Sequence, residues 1–112
     1  MIAVIFEVWP AEGRAAEYFG RAAALRPELE RIDGFISVER FQSVAAPGKY
    51  VSLSFWRDEQ AAARWREHAE HRVAQESGRA GIFQDYRIRV AKVARDYGMH
   101  QRKEAPRHDD GR

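Results

Sequence analysis

Apolar side chains alternate with their neighbours along residues 2 to 9. Ile2, Val4, Phe6 and Val8 fall on one face, and Ala3, Ile5, Glu7 and Trp9 on the other. A period of two predicts a β-strand, which Pro10 and Gly13 end. From Arg14 the period lengthens. Tyr18, Ala22, Leu25, Leu29 and Ile32 are spaced four, three, four, three, as on an amphipathic helix. Pro27 interrupts this stripe. It lacks an N–H and crowds the carbonyl of Ala23, so a kink near residues 23 to 27 or a short second helix is expected before Asp33-Gly34 closes the element. Residues 35 to 43 and 49 to 56 alternate again around Ala45-Ala46-Pro47-Gly48 and predict a hairpin. After Trp56 the period changes within two residues. Asp58 suits an N-cap and Glu59 the first turn of a helix over 59 to 76, ending near Gly78. A fourth strand is expected over 82 to 95, with Tyr86, Ile88 and Val90 on one face and Arg87, Arg89 and Ala91 on the other.

The order β-α-β-β-α-β predicts an α+β, ferredoxin-like fold: a four-stranded antiparallel sheet with two helices on one face. Residues 1–97 make the domain, and the polar, aperiodic residues 98–112 read as a flexible tail. The helices are expected to cover Val4, Phe6, Val8, Val51, Leu53, Phe55, Ile88 and Val90. The opposite face would then carry Ile5, Trp9, Phe35, Phe41, Tyr50 and Trp56, with Glu7, Glu39, Arg87 and Arg89 among them. Such a face is too apolar for water and has charges that can pair, so a homodimer through the sheet face is expected. The alternative is a monomer whose tail covers part of it.

Composition narrows the class. A chain of 112 residues with 45% hydrophobic and 32% charged residues suits one soluble domain. Cysteine is absent, which rules out disulfides and thiolate chemistry and suits a cytoplasmic protein. No signal peptide and no apolar run of membrane-spanning length is visible, so no membrane partner is expected. Nineteen Lys+Arg against seventeen Asp+Glu leave a net charge of +2 with the signs interspersed. That is not a nucleic-acid footprint. Many arginines and alanines, with no asparagine or threonine, fit a GC-rich, bacterial genome.

Candidate chemistry concentrates on the second helix. At about 100° per residue, Ala61, Ala62, Trp65, Ala69 and Val73 share the buried face. Arg64, His68, His71 and Gln75 form a polar stripe on its flank, where two imidazoles are able to orient or deprotonate a weakly acidic ligand. The same stripe also suits a water-facing helix side. Trp65 serves equally as core or as pocket wall, and a buried Tyr86 hydroxyl needs a partner. His68 and His71 stand three residues apart near Glu67, but no third histidine falls in the predicted core, so no metal site is expected. No Walker A loop, no dinucleotide fingerprint and no nucleophile elbow occur, and no cofactor is expected.

The RNA-recognition motif shares this topology, and Gly34-Phe35-Ile36-Ser37-Val38-Glu39-Arg40-Phe41 loosely resembles its signature. It lies on the second strand rather than the third, and the third strand lacks the required glycine. A different resemblance covers residues 1 to 97. Gly34-Phe35 followed by Glu39, the junction Trp56-Arg57-Asp58-Glu59, and Trp65 followed by His71 together resemble the antibiotic biosynthesis monooxygenase family of dimeric α/β barrels. The resemblance implies a pocket between sheet and helices. It also implies oxidation of an aromatic or quinol-like molecule by O2 without metal or flavin, the substrate's own anion supplying the electrons. His71 would be the base or anion-orienting group, Trp65, Phe55 and Tyr86 walls, and His68, Gln75 and Arg64 polar helpers. Oxygenases of the family use a site asparagine, and this chain has none. Where haem-degrading relatives place an iron-binding histidine, this chain has Gln75. The alternative function is a non-catalytic small-molecule-binding or stress-response module of the same fold.

Overall fold

The computed structural model describes residues 1–68 and 81–106. Strands β1 (Ile2–Pro10), β2 (Phe35–Gln42), β3 (Tyr50–Trp56) and β4 (Phe83–Lys92) form one antiparallel sheet in the order β2-β3-β1-β4. Helix α1 (Ala15–Glu30) joins β1 to β2. Helix α2, described over 59–68, follows β3. This is the expected ferredoxin-like order, with the hairpin β2-β3 formed.

Helix α1 runs unbroken through Pro27 rather than dividing in two, and it buries Tyr18, Ala22 and Leu29 against the sheet. Tertiary burial of that stripe outweighs the one hydrogen bond that proline removes. Asp58 caps α2 as expected, its Oδ1 accepting from the Ala61 amide at 2.9 Å. Gly34 explains the Gly-Phe pair that follows α1. Its φ is +96°, and a Cβ there would stand 2.7 Å from Cβ of Ala61. Only glycine lets the first turn of α2 sit so close, while the Arg57 amide donates to the Gly34 carbonyl at 2.7 Å.

The face assignment of two strands needs correction. On β1 the even residues do face the helices: Ile2, Val4 and Val8 are buried. Their partners on β3 are Trp56, Ser54 and Tyr50, and Phe6 pairs with Ser52. Directly paired residues share a face. Trp56 and Tyr50 therefore lie under the helices, not on the open face, and Val51, Leu53 and Phe55 lie on the open face, not under the helices. On β2 a register shift between Phe35 and Ser37 swings Ile36 outward to 51% exposure and turns Phe35 inward, where its ring meets Trp56 edge-on at 5.4 Å. The β4 assignment holds, with Tyr86, Ile88 and Val90 on the helix side opposite Val8, Phe6 and Val4.

Among the described residues two apolar clusters lie on the helix side. Ile2, Val4, Leu29, Val38, Trp56, Ala61 and Ala62 form one. Val8, Tyr18 and Ile82 form the other. On the open face Glu7 pairs with Arg89 and, at 2.6 Å, with Lys49, whose ammonium lies 5.2 Å from the centre of the Trp9 ring. No helix among the described residues is long and apolar enough to cross a membrane. Of the residues expected to form the tail, 107–112 lie outside the described residues. Within 98–106 the Gly98 amide bonds the Gln101 carbonyl, and the Ala105 amide that of Arg102.

Candidate functional site

The first turn of α2 places Ala61 and Ala62 flat on the sheet, fully buried. One turn later Trp65 stacks on Trp56, ring centres 6.3 Å apart and planes 16° from parallel. The small residues beside Trp56 make this possible. Ser54 occupies little volume and its Oγ accepts the Trp56 indole N–H at 2.9 Å, satisfying a donor that is otherwise sealed from water.

His68 follows Trp65 on the flank. Its ring lies 6.0 Å from the Trp65 ring, and its Nε2 lies 3.2 Å from Oε2 of Glu28 on α1. The His68 and Glu28 side chains are 37% and 45% exposed, so the pair sits at the mouth of the layer rather than inside it. When Nε2 carries the proton donated to Glu28, Nδ1 is left as the acceptor, the arrangement a general base requires.

Arg64 is exposed and donates to the Asp33 carbonyl at 3.2 Å, which ties α2 to the end of α1 instead of lining a pocket. Phe55, expected as a wall, points to the opposite side of the sheet, because it pairs with Ala3 and not with an inward residue of β1. Tyr86 lies on the helix side, 5.7 Å from the Phe6 ring and 6.3 Å from Phe83, and remains 40% exposed. His71 and Gln75 lie outside the described residues.

Trp65 and Tyr86 thus belong to two aromatic centres. Trp56, beneath Trp65, pairs at Ile2, and Tyr86 pairs at Val8, six residues away along β1 or about 20 Å at the rise of a strand. The floor between them is Val4, Phe6, Ser52, Ser54, Ile88 and Val90. Both serines are buried, while Val90 is 40% exposed and leaves the β4 side accessible.

Arg40 reaches the same layer from β2, opposite Ser52. Its Nε is buried without a hydrogen-bond partner among the described residues. Burial pushes the Tyr18 hydroxyl above its ordinary pKa, and the neighbouring Arg40 charge and hydrogen bond oppose that rise. Sequence reasoning missed Glu28, Arg40 and Tyr18 as polar groups of this layer. Only Arg40 left a trace, two positions beyond the apolar, inward Val38.

Other features are less suited to chemistry. An open cleft of about 450 Å³ at the N-terminal end of α2 is lined by Met1, Ile2, Arg57, Asp58, Glu59, Gln60 and Lys92. Its lining includes none of the expected site residues that the structure describes. Among the described residues no three His, Asp or Glu side chains converge as ligands for a metal ion.

Comparison with known proteins places this architecture. The family model for antibiotic biosynthesis monooxygenase matches residues 1–77. A Pyricularia oryzae protein named jasmonate monooxygenase ABM is 50% identical over 93 residues, covering 83% of this chain and 43% of that protein. The chain therefore spans less than half of that relative's length. The uncharacterized protein YqjZ of Bacillus subtilis is 37% identical over 98 residues, covering 83% of this chain and 79% of its own. Among solved structures, a Deinococcus radiodurans protein named for the same family superposes with a TM-score of 0.70 at 12% identity, over 88% of this chain and 98% of that one. At that identity the likeness shows the fold alone.

Proposed function

The chain belongs to the antibiotic biosynthesis monooxygenase family, and from that premise we propose that it is a small monooxygenase oxidising an aromatic or quinol-like molecule with O2, without metal or flavin. The observation that carries this reading is the His68–Glu28 pair beside the Trp65–Trp56 stack. A planar, weakly acidic substrate lying near Trp65 meets an imidazole oriented by a carboxylate. Proton removal gives an enolate whose carbon is oxidised by O2. One oxygen atom stays on that carbon as a carbonyl and the other leaves as water, so a CH2 group and O2 become C=O and H2O. The substrate supplies all the electrons. The protein's part is to take the proton, hold the anion and exclude water.

In this reading His71 remains the expected base or anion-orienting group, with Gln75 as a polar helper. His68 joins them with Glu28 as its positioning partner. Trp65 contributes the ring surface beside them, Tyr86 stands at the far end of the layer, and Phe55 and Arg64 have no part. A homodimer formed through the open sheet face, in the cytoplasm, completes the proposal.

The test is O2-dependent turnover of an anthrone and a hydroquinone by metal-stripped protein, with jasmonate added to the panel because the Pyricularia relative is named for it. Turnover that falls by about 10²-fold or more in His71→Ala or His68→Gln supports the reading. Equal rates in wild type and both variants remove the histidines from the mechanism. The absence of asparagine favours a second reading, a binding module that sequesters such a molecule unchanged. Tight binding without any oxidised product would establish it.

A further inference from the structure

We propose that Arg40, with the hydroxyls of Tyr18 and Ser52, forms a binding site for the carboxylate of a small organic acid between α1 and the sheet. The inference deepens the function proposed above by assigning a charge to the substrate, and it rests on that reading only for the substrate's place in the fold.

The starting point is a cation with no counter-ion among the described residues. Arg40 is half-buried on the helix side of β2, and its Nε is shut off from solvent with no acceptor among the described residues. Among the described residues no carboxylate pairs with it. Glu17 serves Arg14 and Arg21, Glu30 serves Arg26, Asp33 and Asp58 serve Arg57, and Glu7 serves Lys49 and Arg89. Arginine cannot escape the cost of burial by losing its proton. A half-buried guanidinium beside the Tyr18 hydroxyl, with no carboxylate of the described residues paired to it, is therefore a charge held ready for an anion.

The surrounding groups fit a carboxylate. The guanidinium offers a planar fork of donors that matches two carboxylate oxygens. The Tyr18 hydroxyl, buried and kept protonated, is a further donor beside Arg40. Ser52, also buried, stands directly across the strand pair from Arg40. The apolar body of the acid has ring surfaces next to these groups: Phe6 pairs across from Ser52, and Tyr50 lies two residues before it. Because Arg40 as a whole keeps partial contact with solvent, the site is reachable without unfolding α1.

Isothermal titration calorimetry of the full chain with 2-naphthoate and with its neutral counterpart 2-naphthamide tests this. Wild type is expected to bind the naphthoate about tenfold or more tightly than the amide. Arg40→Gln should lose that preference, and Tyr18→Phe should weaken the naphthoate by about threefold to tenfold. Equal binding of acid and amide by wild type, no naphthoate binding, or a preference retained in Arg40→Gln each overturn the proposal. Without ligand, Arg40→Gln should melt at or above wild type, since it removes an uncompensated charge. If that variant does not fold, the wild-type comparison and Tyr18→Phe still decide. Naphthoate selectivity with no oxidation of any substrate would leave the acid site standing and remove the monooxygenase reading. The reverse result would do the opposite.

Discussion

Trp56 shows what one residue's surroundings contribute. It is fully buried, edge-on to Phe35, stacked under Trp65 and hydrogen-bonded to Ser54. Ser54→Ala is expected to cost about 1–3 kcal/mol, because the indole N–H is left buried without an acceptor. The same change made in Trp56→Phe should cost clearly less, since no donor remains to be orphaned, and chemical denaturation of the four proteins measures the difference. Equal costs in both backgrounds would show that the hydrogen bond contributes nothing. Gly34 makes the second residue-scale case. Gly34→Ala meets both a positive φ and the Ala61 Cβ, and a loss on the order of 3 kcal/mol is expected in the same measurement. His68 and Glu28, in contrast, are exposed enough that Glu28→Gln should leave the melting temperature nearly unchanged and slow only turnover that uses His68.

At the scale of elements, strand faces were the hardest feature to read and helix period the easiest. The α1 stripe of Tyr18, Ala22 and Leu29 is buried as its spacing predicted, and the Asp58 cap opens α2 where expected. On β3 the alternation of Val51, Leu53 and Phe55 with Tyr50, Ser52 and Ser54 pointed to the wrong face. Hydrophobicity identifies the core-facing side of a strand only when the other side meets water. Here both sides are apolar overall. Serines lie under the helices, where the Trp56 indole packs on Ser54, and larger residues line the open side. On β2 the extra residue at Ile36 reversed the face of Phe35, and an irregularity of one residue is invisible to periodicity. The ion pairs of Glu7 on β1 make the stability of the sheet depend on pH. Lys49 and Arg89 hold the Glu7 carboxyl below its ordinary pKa, and Arg57 does so for Asp33. The native state therefore binds fewer protons than the unfolded chain in the acid range. The contribution is fully present above the ordinary carboxylate pKa and is lost as pH falls through the lowered one. Thermal melts between about pH 7 and about pH 3 should show a decline confined to the acid side, shallower in Glu7→Gln. An unchanged slope in Glu7→Gln would remove this pair from the account.

For the whole molecule, the corrected faces strengthen the case for a covered sheet. Ile5, Val51, Leu53 and Phe55 now share the open face with Phe41, which is 46% exposed, and the ionic cluster of Glu7, Lys49 and Arg89 lies among them. A continuous apolar face of this kind marks an interaction surface. Light scattering is expected to give twice the chain mass of 12.9 kDa for wild type. Leu53→Glu should give the single-chain mass without loss of fold, because its side chain points away from the helix layer. A wild-type monomer at micromolar concentration would overturn the dimer.

The sequence alone determined the element order, the helix stripe, the Asp58 cap, the hairpin and the family. Each follows from local spacing or from motifs read along one stretch of chain, where neighbours in sequence decide the outcome. Tertiary structure decided which side of β3 faces the helices, that Trp56 is core, that Phe55 lies on the open face, and that Arg64 holds the Asp33 carbonyl. It also brought Glu28 to His68 across 40 residues and Arg40 to Tyr18. Those outcomes depend on strand register and on how α1 and α2 pack over the sheet, and neither is written in the period of any single segment.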